Sequence, residues 1–99
     1  MIHIVAILTA KPGQRAALLT RFKAALPAVL AEDGCLEYAP VIDLESSAAK
    51  YGEDSFVVIE KWESNDALKA HAGAPHMAAY AAKTREMIAS RVIHILSPA

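Results

Sequence analysis

The sequence has one cysteine in 99 residues, so no internal disulfide can staple it. A lone thiol suits a reducing compartment. The opening run Met1-Ile2-His3-Ile4-Val5 lacks the basic start and long apolar core of a secretory leader, and the expected location is cytoplasmic. No apolar run approaches the ~20 residues that cross a bilayer, so no membrane partner is expected. Neither sign of charge dominates. Ten Lys and Arg against eleven Asp and Glu give a net charge of −1 with no basic stripe, which removes the electrostatic basis for nucleic-acid binding. No repeat of solenoid period is present. The length leaves room for one domain, residues 1–99.

What is abundant is apolar surface. Hydrophobic residues make up 55% of the chain, well above what a disordered segment carries. A chain this short buries only about two thirds of its unfolded surface, so association with a second copy would add burial.

Residues 2–10 are rich in β-branched side chains and stop at Lys11-Pro12-Gly13, the pattern of a strand and a turn. Ile2, Ile4, Ala6 and Leu8 share one face, and His3, Val5, Ile7 and Thr9 the other. Residues 14–32 space Leu18, Leu19, Phe22, Leu26, Val29 and Leu30 as a helix, with Pro27 expected to kink or restart it. Asp33-Gly34 ends that helix. A second strand is expected over 35–44, with Leu36, Tyr38, Ile42 and Leu44 on one face and Pro40 marking a sheet edge. Glu45 to Asp54 reads as a flexible loop.

Residues 55–63 form a third strand, with Phe56, Val58, Glu60 and Trp62 on one face. Ser64-Asn65-Asp66 caps a short helix broken at Gly73, and Pro75 starts another. The inner stripe of that helix is expected to be Met77, Tyr80, Ala81, Thr84, Met87 and Ile88. A last strand spans 91–97. The order βαββαβ is the ferredoxin-like α+β pattern, in which strands one and three are central. Those two strands are the most apolar on both faces. Helices cover one face only, so the other calls for a second copy of the chain, and a homodimer is expected.

Chemistry-bearing residues concentrate after the third strand, in Glu60-Lys61-Trp62-Glu63, Ala67-Leu68-Lys69-Ala70-His71 and Pro75-His76. With Lys11-Pro12-Gly13 and Gly34-Cys35-Leu36-Glu37-Tyr38, this spacing resembles the antibiotic biosynthesis monooxygenase family over nearly the whole chain. The resemblance implies a dimeric α+β barrel with a pocket between sheet and helices in each subunit. It matches the quinol-monooxygenase-like members better than the haem-degrading ones. Haem-degrading relatives use an Asn on the first strand and a Trp and a His after the third, whereas the counterparts here are Val5 or Ala6, His71 and Ala81. Another branch isomerises a phosphorylated sugar, an anionic substrate that calls for Arg or Lys in the pocket; Lys61 is expected on the face opposite Trp62, and Arg85 and Arg91 lend that reading little support.

The activity that this resemblance implies is cofactor-independent monooxygenation of a quinol or phenolic substrate by molecular oxygen, with no cofactor and no metal ion expected. Such a substrate must first be deprotonated, and a His titrating near pH ~6.5 suits that task. His71 is the candidate base. Glu60, among apolar neighbours, would have a raised pKa and could orient His71 or serve as base itself. Trp62 could offer a stacking wall and an N–H donor. Tyr38, Phe56, His76, Met77 and Tyr80 are the candidate substrate-binding residues. Six of these also have a purely structural reading: Glu60 as a helix cap or interface ion pair, Trp62, Met77 and Tyr80 as core, His71 as a buried hydrogen-bonded imidazole, His76 as surface. A non-catalytic dimeric ligand-binding module and the sugar-phosphate isomerase stand as alternatives. His3 and His94, on strands adjacent in this topology, carry no metal-ligand spacing.

Overall fold

A computed structural model describes all residues, Met1–Ala99. The elements run β1 (Ile2–Ala10), α1 (Arg15–Leu30), β2 (Cys35–Val41), β3 (Ser55–Trp62), α2 (Asn65–Ala72), α3 (Pro75–Thr84), a 3₁₀ turn (Arg85–Met87) and β4 (Ile88–Leu96). The sheet order is β2-β3-β1-β4 with every neighbouring pair antiparallel. The two most apolar strands are therefore central, and Pro40 lies on an edge strand, where its missing N–H breaks no ladder.

The helices lie on one face of this sheet. Ile4, Ala6, Leu8 and Ala10 of β1 and Phe56, Val58, Glu60 and Trp62 of β3 point into that layer and are buried. From α1 they meet Leu18, Phe22 and Val29, which recur at helical spacing, while Leu30 is half exposed. Pro27 does not interrupt α1, which runs unbroken to Leu30. Pro27 falls in the last turn, so little helix remains beyond it to be bent. Trp62, Phe56 and Leu18 are almost fully enclosed and anchor the core.

Three further expectations are corrected by the backbone. Leu36 does not share a face with Tyr38. The β2–β3 ladder pairs Cys35 with Trp62 but Glu37 with Lys61, so Leu36 is an extra, bulged residue and lies exposed. The second strand also stops at Val41, leaving Ile42 and Leu44 exposed in the connection. That connection folds back, with Asp43 accepting hydrogen bonds from the N–H groups of Tyr51 (3.0 Å) and Gly52 (2.9 Å). Finally, α3 ends at Thr84 and β4 begins at Ile88, so Met87 and Ile88 belong to the 3₁₀ turn and strand; Ala81 is exposed. A shift in the β1–β4 ladder after Thr9 brings Ala10 opposite Ile88 and extends the strand toward its N-terminal end.

The opposite face of the sheet has no helix. Val5, Ile7, Ile59, Val41, Val92 and Leu96 lie on it, the last three more than 40% exposed. Val57, also on this face, is buried beside a hollow of about 240 Å³ that Ile42 and Tyr51 help to wall. Strand β4 is uncovered on the helix side as well, where Ile93 and Ile95 stand exposed.

Candidate functional site

The site forms where the end of α1, the end of β3 and the two short helices meet. Ser64 caps α2, its hydroxyl accepting from the Ala67 N–H at 3.1 Å, as a residue of this type does at a helix start. One turn later, on the same face as Ala67, comes His71. The α1–β2 turn packs against this helix. Gly34 has φ +80°, and a Cβ added to it would lie 2.6 Å from the Cβ of Ala67. The Gly34 carbonyl accepts from the Glu63 N–H at 2.8 Å. This close approach sets Glu32, two residues before Gly34, opposite His71.

Glu32 is the residue at the centre. Its Oε2 lies 2.7 Å from His71 Nδ1 and 3.3 Å from His76 Nε2. His71 is buried, Glu32 is largely enclosed, and the His76 side chain keeps about a third of its surface in solvent. The His71 ring packs against the Trp62 indole at 4.6 Å between centroids and meets Tyr38 edge-on at 5.4 Å. With Glu32 as a carboxylate accepting the Nδ1–H, the imidazole is held in the tautomer whose Nε2 lone pair is free, the arrangement that makes a histidine a directed base.

Glu60 is not the partner that orients His71. It makes no hydrogen bond to His71; its Oε1 accepts from the Trp62 Nε1–H at 2.9 Å. Burial raises the Glu60 pKa above the ordinary carboxyl range, while the Trp62 hydrogen bond and the charge of His71 pull it back. Orientation of His71 thus falls to Glu32, and Trp62 holds Glu60. Trp62 is completely enclosed and presents no free face for stacking. Phe56 is likewise core, edge-on to Phe22 at 5.6 Å.

Tyr38, Met77 and Tyr80 do come together, with Phe22, Ala25 and Val29, around a void of about 10 Å³. That is room for about one water, far short of the roughly 300–1,000 Å³ of a ligand pocket, so the expected cavity is closed in this structure. Tyr38 stacks on Phe22 at 5.5 Å, and burial drives its hydroxyl pKa strongly upward, with Glu60 and then other neighbours adding to the effect. The Tyr80 hydroxyl is buried with no hydrogen-bond partner. A polar group left so is a place where a ligand oxygen or water fits.

Lys61 projects from the uncovered face and pairs with Glu37 at 3.8 Å, away from the site. Arg91, on the helix side of β4, is near enough for its charge to lower the Tyr80 pKa against the larger effect of burial. His3 and His94 sit diagonally on the uncovered face, opposite Leu96 and Val5 respectively, and no third ligand-type residue joins them. Cys35 shares the site's face, and its thiol pKa is raised by burial and then by the charges of Glu32 and Glu60.

A two-layer α+β sheet with an aromatic-walled carboxylate–histidine pair between its layers is the class this geometry defines. The sequence matches the family described as antibiotic biosynthesis monooxygenase over residues 1–83. It is 38% identical over 102 residues to the Escherichia coli K12 protein named "Probable quinol monooxygenase YgiN", spanning 99% of this chain and 98% of that one. Among solved structures, Rv0793 from Mycobacterium tuberculosis superposes with a TM-score of 0.82 at 26% identity, over 99% of this chain and 94% of its own. PA3566 from Pseudomonas aeruginosa gives 0.84 at 26% identity, over 99% and 93%. The chain belongs to the antibiotic biosynthesis monooxygenase family.

Proposed function

We propose that this protein is a monooxygenase that oxidises a quinol or phenolic substrate with molecular oxygen and without a bound cofactor. The observation that carries the reading is the buried His71 held through Nδ1 by Glu32 beside Tyr38, in a chain of this family. His71 Nε2 takes a proton from the substrate hydroxyl, and the resulting anion is the better electron donor to oxygen. One oxygen atom enters the ring and the other leaves as water. A quinol becomes a hydroxyquinone, so the substrate itself supplies every electron. The unpartnered Tyr80 hydroxyl donates to a substrate oxygen once Met77 and Tyr80 move apart to admit the ring.

The working form in this proposal is a homodimer closed through the uncovered sheet face, giving the α+β barrel. Support comes from the row of exposed apolar side chains there, since each buried apolar Å² is worth about 25 cal/mol. A rival reading, a ligand-binding module without turnover, is favoured by the 240 Å³ hollow on that same face. Oxygen uptake with a panel of quinols separates the two. The expected result is uptake by wild type that falls at least about a hundredfold in His71→Ala, the lower range for loss of a positioned base. Equal rates in the two would remove His71 from the mechanism, and no uptake with any quinol would favour the binding module.

A further inference from the structure

We propose that Glu32, His71 and His76 form a three-ligand site for a divalent first-row transition metal, with Zn²⁺ as its representative. Three separate elements deliver the ligands: the turn after α1, the last turn of α2 and the first turn of α3. The Glu32 carboxylate oxygen, His71 Nδ1 and His76 Nε2 all lie within 4.8 Å of one another. Ligand atoms bound to one tetrahedral ion at about 2.0–2.2 Å stand about 3.3 Å apart. The Glu32–His76 separation is already 3.3 Å and the Glu32–His71 separation 2.7 Å, and no pair of the three exceeds 4.8 Å, so side-chain rotations that bring the two imidazoles together by up to about 1.5 Å complete the geometry.

The donor set selects the ion. Two imidazoles and one carboxylate suit Zn²⁺ and its neighbours, whereas Mg²⁺ and Ca²⁺ take oxygen shells. His71 and His76 are separated by four residues, within the His-x₃₋₅-His spacing of zinc ligands. The Trp62 and Tyr38 rings pack on the His71 imidazole and form an apolar wall around it, the kind of shell that limits solvent access to a metal. Access is provided by His76, whose side chain is 34% exposed while those of Glu32 and His71 are 15% and 8%. Three protein ligands with one side open leave the fourth position to water or a ligand oxygen.

This goes beyond the oxygenase reading. A metal on Nδ1 takes the place of the proton that Glu32 accepts, so metal and proton compete for one pair of atoms.

The test is calorimetric titration of the full chain with ZnCl₂, joined to the visible absorption of the Co²⁺-loaded protein. Expected are one site per chain and the absorption of a four-coordinate Co²⁺ ion. Loss of an outer-shell group alone costs 10–100-fold in affinity, so His76→Ala and Glu32→Gln should each weaken binding by at least about a hundredfold. Cys35→Ser should leave it unchanged. His76 is near the surface, so its replacement keeps the fold testable. No binding, binding undiminished in His76→Ala, or a sulfur-to-cobalt charge-transfer band placing the ion on Cys35 would each overturn the proposal. Neither readout uses oxygen, so failure of the quinol assay leaves this result standing, and the reverse also holds.

Discussion

Replacing Gly34 with alanine should be among the most damaging changes that remove no atom. Two costs add. At φ +80° an alanine pays the left-handed penalty, about 1–2 kcal/mol. Its Cβ would also sit 2.6 Å from the Ala67 Cβ, where ordinary contact begins at 3.4 Å, so helix α2 or the turn must give by 0.8 Å (3.4 − 2.6). Overpacking of that kind costs about 1–3 kcal/mol. The sum is about 2–5 kcal/mol, which at roughly 4–8 °C per kcal/mol in a domain of this size lowers the melting temperature by at least about 8 °C. Urea denaturation at fixed protein concentration measures it. The decisive arm is a double-mutant cycle with Ala67→Gly, which removes the opposing methyl but leaves the backbone penalty. Gly34→Ala should then cost about 1–3 kcal/mol less in the Ala67→Gly background than in wild type. An identical cost in both backgrounds would show that the turn and α2 do not touch as described, and would undo the account of how Glu32 reaches His71.

Three further outcomes follow from named contacts. Glu60 has a pKa raised by burial, so its ionisation opposes folding: the handicap is absent below the ordinary carboxyl value and grows as pH rises through the raised one. Glu60→Gln, which can still accept from Trp62, should therefore gain on wild type in melting temperature as pH is taken from about 4 to about 8; a constant difference would refute this. Trp62→Phe strips the buried carboxylate of its donor and should destabilise by roughly 1–3 kcal/mol beyond the lost packing. Combining it with Glu60→Gln should recover part of that loss in denaturant titrations. Ile59→Lys, on the uncovered face beside Val5, should convert the proposed dimer to monomers in sedimentation velocity while preserving far-ultraviolet circular dichroism; a wild type that sediments as a monomer would exclude that dimer.

Strand and helix identities were legible because the apolar period switches cleanly from two to 3.6, and the inward set Phe56, Val58, Glu60 and Trp62 follows from alternation alone. Boundaries were less legible where ladders slip, at Leu36 and after Thr9, since a bulge leaves no mark in apolar period. His71 stood out in the sequence; Glu32 did not. Its role depends on a contact between segments 39 residues apart, which no local spacing encodes. One signal was available. Glu32 follows the C-terminal end of α1, where the helix dipole disfavours a carboxylate, and such a misplaced charge invites a search for its partner. The closed void beside Tyr80 was illegible because it depends on how Phe22, Met77 and Tyr80 mesh.

The bulge at Leu36 gives the chain a spare link. Alternation alone cannot aim both Cys35 and Tyr38, three residues apart, at the helices; the extra residue absorbs the mismatch. A chain shortened by that one residue would pair Cys35, Glu37 and Tyr38 with Trp62, Lys61 and Glu60 in unbroken succession, every side chain keeping its present face. Strands normally punish changes of length, yet this edge carries a tolerance for one at the very point where the wall of the site begins.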